Sequence, residues 1–223
     1  MAFQFKPEVM LDTVPLLVEG VELTIYITLL GLVFGFLIGT VAGLGRLSRN
    51  KLTRALATVY VEIIRGTPMI VQALFLYFGV PLVTGIRINP ITAGVITIAV
   101  NSGAYIAEIV RGAVQSIDQG QFEAGRSIGL TRRQTMLSII WPQAFRRMIP
   151  PLGNQFIISL KDTSLLTVIG VAELTRSGQE IVAVNFRSFE VYLTVAIVYL
   201  CMTLSIATAL RWYEKKLMAR SRR

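Results

Sequence analysis

The sequence predicts an all-α membrane protein with five transmembrane helices, and three observations lead there. Of 223 residues, 53% are hydrophobic and only 16% charged, with a mean hydropathy of +0.62, too apolar for an ordinary soluble domain. Five apolar stretches are long enough for a hydrocarbon core of about 30 Å, which takes roughly 20 helical residues. The cations gather in alternate segments between those stretches.

The first span runs from Val21 to Leu44. Before it, Met1 to Asp12 carry one Lys and two acids, a poor signal-peptide start, and the apolar run that follows is too long for a signal. An uncleaved first span is expected. Gly31, Gly35, Gly39 and Gly43 recur every fourth residue and share one helical face, a seam for close helix approach within this chain or with another subunit. The second span is placed at Ala55–Val83, the third at Pro90–Val110, the fourth at Leu152–Val171 and the fifth at Tyr192–Leu210. Lys161 and Asp162 interrupt the fourth.

Arg46, Arg49, Lys51 and Arg54 fill the first interspan segment. Arg111, Arg126, Arg132, Arg133, Arg146 and Arg147 fill the third, and Arg211, Lys215, Lys216, Arg220, Arg222 and Arg223 the tail. By the positive-inside rule these segments are cytoplasmic, the N-terminus lies outside and the C-terminus inside. With no tandem repeat and no linker, residues 1–223 read as a single transmembrane domain.

The net charge of +9 flanks apolar stretches, so it implies a membrane surface rather than nucleic acid. There is no histidine, and the single cysteine, Cys201, lies in an apolar run; no metal centre and no internal disulfide are expected. No nucleophile–base pair or phosphate loop supports a membrane enzyme. The missing internal repeat argues against a complete ion-coupled carrier.

The basic loop between the third and fourth spans, about 115–148, is predicted as helix, turn, helix. Asp118 with Gln121 and Thr131 with Gln134 have the spacing of N-terminal capping pairs. Gly129 suits the end of the first helix, and Pro142 is expected to end or kink the second. Within this loop Glu123-Ala124-Gly125, Gly129, Ile139 and Pro142 follow a pattern: Glu-Ala-Ala, three residues, Gly, nine residues, Ile, one residue, Leu-Pro. Gly125 stands for the third small residue and Trp141 for the Leu. This resembles the cytoplasmic coupling loop of ABC-importer permeases.

The resemblance extends to Glu62-Ile63-Ile64-Arg65-Gly66-Thr67-Pro68, Asn101 through Glu108, Pro150 through Gln155 and Lys161 through Leu165. On these segments the chain is similar to polar amino-acid permeases of the glutamine, histidine and arginine type, bacterial glutamine permeases above all. The resemblance implies a type I ABC-importer permease in the bacterial plasma (inner) membrane. It also implies a second permease subunit, identical or paralogous, cytoplasmic ATPase subunits that hold ATP and Mg, and an extracytoplasmic amino-acid-binding protein. This chain would bind no cofactor and would move its solute, glutamine before the others, by alternating access. Arginine or histidine, glutamate and cystine are the alternatives, then a secondary carrier.

For ATPase coupling the candidates are Glu123, Ala124, Gly125, Gly129, Ile139 and Pro142, the small residues letting a short helix sit deep in a partner's groove. Polar residues inside spans are the other candidates, because burying them in a bilayer is costly. Asn101, Tyr105 and Glu108 share one face of the third span, lining a path or satisfied by neighbouring helices, Glu108 by Arg111. Glu62 and Arg65 are spaced for an intrahelical pair before Gly66 and Pro68, which weaken the helix. That site reads as a gating kink, a contact for a substrate carboxylate or a braced bend. Asn154, Gln155, Ser159, Lys161, Asp162, Thr163 and Ser164 offer opposite charges, amides and hydroxyls to an amino acid. Neutral Gln155 leans toward glutamine over a cationic substrate.

Overall fold

The computed structural model describes residues 4–221. Met1, Arg222, Arg223 and the side chains of Lys215 and Arg220 lie outside that description. Eleven α-helices are described: α1 (Pro7–Leu16), α2 (Val18–Arg46), α3 (Lys51–Gly66), α4 (Met69–Leu74), α5 (Val80–Thr84), α6 (Pro90–Gln115), α7 (Gln119–Ser127), α8 (Arg132–Thr135), α9 (Trp141–Asp162), α10 (Leu174–Asn185) and α11 (Ser188–Ser221). By length and composition three helices, α2, α6 and the stretch Ser188–Tyr213, can cross a membrane, and the bent pair of α3 with Met69–Thr84 makes a fourth. The helix at the expected fourth span begins at Trp141, eleven residues before Leu152, and passes through Pro150 and Pro151. Its Arg146, Arg147, Lys161 and Asp162 keep it outside that apolar class. Helices α1 and α10 were not expected.

The centre of the bundle is the pairing of α2 with α6. All four ladder glycines are buried in it. A Cβ added at Gly39 would stand 2.7 Å from the carbonyl oxygen of Gly103 and 2.7 Å from Ile106 Cβ; at Gly43 it would meet the Ala107 oxygen at 2.7 Å. The ladder is therefore a seam within this chain. Ile27, Ile98, Leu166, Met69 and Ala73 extend this core onto α4 and the 3₁₀ turn Thr163–Ile169, while Ile106, Val110, Ile140 and Met148 bind α6 to α9.

The expected second span is not one helix. Between α3 and α4 the axis turns by 105°. Pro68 excludes its predecessor from helical backbone, and Thr67 is extended at φ −117°, ψ 142°.

Two other prolines are taken up without a break. The turns Phe75–Gly79 and Met136–Ile140 are π-helical, with Val80 N–H donating to Phe75 O and Trp141 N–H to Met136 O. Each π turn is followed one residue later by a proline, Pro81 or Pro142. The wider turn relieves the clash between the proline ring and the preceding turn of backbone. So Pro142 does not end its helix; the backbone runs on into α9.

At the end of the bundle opposite the α7–α8 hairpin, two fully buried glutamates act as fasteners. Glu173 accepts from the Thr167 hydroxyl (2.8 Å), the Tyr199 hydroxyl (2.8 Å) and the N–H groups of Thr175 (3.0 Å) and Arg176 (2.9 Å). Glu190 accepts from the backbone N–H of Lys6 and pairs with Arg187, tying the N-terminal segment to α11.

Candidate functional site

The polar face of α6 meets the broken span along its length. Asn101, 7% exposed, donates from Nδ2 to Gln72 Oε1 at 3.1 Å. Gln72 in turn donates to the carbonyl oxygens of Ile64 (2.8 Å) and Thr67 (3.1 Å), two of the groups that the break strips of helical partners. One turn further along α6, Tyr105 carries the Arg65 guanidinium over its ring at 5.3 Å. At the next turn Glu108 draws three arginines from three helices. Arg111 binds it through Nη2 at 2.7 Å and through Nε, Arg46 binds it at short range, and Arg65 stands off at 3.9 Å.

Glu62 and Arg65 do not pair with each other. Glu62 reaches Arg46 at 3.5 Å, while Arg65 turns to Tyr105 and Glu108, because the two side chains project toward different neighbours. Glu108 has Arg111 as the sequence allowed, with Arg46 and Arg65 added. Gly66 is open, with nothing within 4 Å of an added Cβ.

The stretch on α9 divides by face. Asn154 and Lys161 are exposed, seven residues apart, while Gln155 and Ser159 are buried and joined by a 3.2 Å bond from Gln155 Nε2 to Ser159 Oγ. Thr163 and Ser164 return their hydroxyls to the carbonyls of Leu160 and Lys161, both at 2.7 Å. These bonds hold the passage from α9 into the 3₁₀ turn. Asp162 is half-buried, and among the described residues neither it nor Lys161 makes an ion pair or hydrogen bond through its charged end.

Beyond α6 the chain forms a hairpin of α7 and α8. Asp118 caps α7 by accepting from Gly120 N–H at 2.7 Å; Gln121 supplies no reciprocal side-chain bond. Thr131 and Gln134 form the full capping box, with Thr131 N–H donating to Gln134 Oε1 at 2.8 Å and Gln134 N–H to Thr131 Oγ1 at 3.3 Å. Gly129 turns the corner at φ +87°, a conformation glycine adopts without strain. Glu123, Ala124 and Pro142 are exposed.

Gly125 faces inward. A Cβ there would stand 2.7 Å from Thr135 Cγ2 and 2.9 Å from Ile139 Cδ1. Its small size lets α7 lie against the following helical turn.

Gln72 is the residue the sequence reading passed over, although a lone amide in the apolar run Met69–Leu76 is the signal that marks one. Arg46 was read only as a loop charge.

A bundle of apolar helices, with a polar seam at a broken span and an exposed hairpin at one end, defines a membrane-embedded transport subunit. Residues 31–219 match the binding-protein-dependent transport system inner membrane component family, and the chain belongs to that family. It is 51% identical over 215 residues to the glutamine transport system permease protein of Escherichia coli strain K12, covering 96% of this chain and 98% of that one. An L-cystine transport system permease protein of Bacillus subtilis strain 168 is 40% identical, over 86% of this chain and 83% of its own length. Among solved structures, an amino acid ABC transporter crystallised with histidines superposes at a TM-score of 0.90 with 39% identity, covering 96% of this chain and all of that one. A chain of the MetNI methionine ABC transporter shares the fold at 22% identity and a TM-score of 0.78, over 90% of this chain and 95% of that one.

Proposed function

We propose that the chain is the membrane-spanning permease of an ATP-driven importer of polar amino acids, with glutamine as its substrate. The observation that carries this reading is the 51% identity to a glutamine permease along nearly the whole of both chains. The chain crosses the membrane five times, through α2, the broken span, α6, α9 with its 3₁₀ turn, and α11. The arginine-rich end that bears the α7–α8 hairpin faces the cytoplasm, and the N-terminus lies outside; the distribution of cations supports this orientation.

The exposed side of the hairpin, with Glu123 and Ala124, docks on an ATPase subunit that holds ATP and Mg. Gly125, Gly129, Ile139 and Pro142 shape that hairpin from within. A second permease subunit completes the path, and an extracytoplasmic binding protein delivers the amino acid. Asn101, Tyr105, Asn154, Gln155, Ser159, Lys161, Asp162, Thr163 and Ser164 line or support the path. Glu62, Arg65, Gly66, Pro68 and Glu108 set its gate or brace its bend.

The test is ATP hydrolysis in proteoliposomes containing this chain with its candidate ATPase and binding-protein partners, given glutamine, glutamate, arginine, histidine and cystine in turn. Stimulation by glutamine is expected. Stimulation by cystine alone would move the substrate toward that of the Bacillus relative. Failure to associate with any ATPase would overturn the reading.

A further inference from the structure

We propose that Arg65 binds the main-chain carboxylate of the transported amino acid, an assignment that rests on the amino-acid importer reading. Among the arginines around Glu108 it is the one left without a hydrogen bond. Arg111 holds Glu108 Oε2 through Nη2 at 2.7 Å and through Nε at 3.2 Å, and Arg46 occupies Oε1. Arg65 remains 3.9 Å from Oε2, beyond hydrogen-bond range, and among the described residues its guanidinium donates to nothing. Arg46, Arg65 and Arg111 share two carboxylates, Glu62 and Glu108, so one positive charge in the cluster is unbalanced.

The Arg65 guanidinium carbon lies over the Tyr105 ring, 5.3 Å from the ring centre, while the side chain stays 40% exposed. With its N–H groups unused, the planar fork can receive a carboxylate through two parallel hydrogen bonds. The position supplies room as well. Arg65 is on the last turn of α3, where the axis swings away by 105°, and next to it Gly66 has no atom within 4 Å of its Cβ position. Tyr105 and Asn101 lie on the same face of α6, so a carboxylate on Arg65 would extend its amino acid along that face.

A contact to the carboxylate reads what all amino acids share, so it sets affinity for the class and leaves the choice of side chain to other residues. The measurement is equilibrium binding of L-glutamine and of its α-carboxamide, L-glutaminamide, to the permease–ATPase complex in lipid nanodiscs without binding protein. The wild-type complex should prefer L-glutamine by roughly tenfold to a hundredfold, the range of a charge-assisted bidentate contact. Arg65→Gln should bind both compounds equally. Arg65→Lys, which keeps the charge without the fork, should keep only part of the preference. Arg65→Gln that still prefers the carboxylate to the wild-type degree overturns the assignment of Arg65 alone, and so does an undiminished preference in Arg65→Lys if the Gln variant fails to assemble. A wild-type complex that binds neither compound overturns glutamine as the substrate, and this inference with it.

Discussion

Substituting Gly39 by alanine tests the helix seam where an added Cβ would meet backbone, and the structure sets the size of the effect. The added Cβ would lie 2.7 Å from both the Gly103 carbonyl oxygen and Ile106 Cβ, a full clash with backbone on one side and a branched side chain on the other. Overpacking of this kind costs about 1–3 kcal/mol, and a backbone carbonyl that cannot rotate away places Gly39 at about 3 kcal/mol. Alanine returns about 1 kcal/mol through its better helix propensity. The net loss is about 2 kcal/mol, which for a chain of this length lowers the melting temperature by about 4–8 °C.

Gly112, in the same α6 that Gly39 packs against, supplies the opposite case. It is exposed, with nothing within 4 Å of an added Cβ, so Gly112→Ala keeps the propensity gain and should raise the melting point slightly. Thermal size-exclusion of detergent-purified protein reads both variants. Equal melting points for Gly39→Ala and Gly112→Ala would refute the packing argument.

Glu123→Lys should leave the stability within about 0.5 kcal/mol of wild type, because Glu123 is exposed, while abolishing ATPase stimulation in proteoliposomes. Gln72→Ala frees the carbonyls of Ile64 and Thr67 and the amide of Asn101; a loss of about 1–3 kcal/mol is expected, read as a lower melting point and faster proteolysis near residues 66–68. Glu173→Gln turns one acceptor oxygen into a donor facing groups that already donate, so it should destabilise by about 2 kcal/mol in the same thermal assay, and Glu173→Asp should do so too by falling short of Tyr199.

The parts of this fold that depend on nearest neighbours were legible in the sequence. Thr131 and Gln134 are three residues apart and form their capping box, and Gly129 sits where a left-handed residue was required. Apolar length located α2 and α6 to within a few residues at the ends where it predicted them. What escaped depends on tertiary partners. The spacing of Glu62 and Arg65 allows a pair, but Arg46 and Tyr105 arrive from other helices and divide them. Pro68 signalled a weakness, while the 105° turn needs Gln72 to satisfy the carbonyls that it exposes. The packing of Gly125 against Thr135 and Ile139 was not legible, because a small residue on a short helix does not reveal which side it packs. The burial of Glu173 was not legible either, because its four neutral donors are scattered between Thr167 and Tyr199.

The π turn at Met136–Ile140 joins α8 to α9 without leaving helical backbone, and the 3₁₀ turn from Thr163 continues it. From Arg132 to Asp162 this is one strut of about 46 Å at about 1.5 Å per residue. Its near end belongs to the hairpin and its far end carries Lys161 and Asp162. A displacement imposed on the hairpin therefore reaches the polar stretch through continuous helical backbone, with no intervening loop to absorb the stroke.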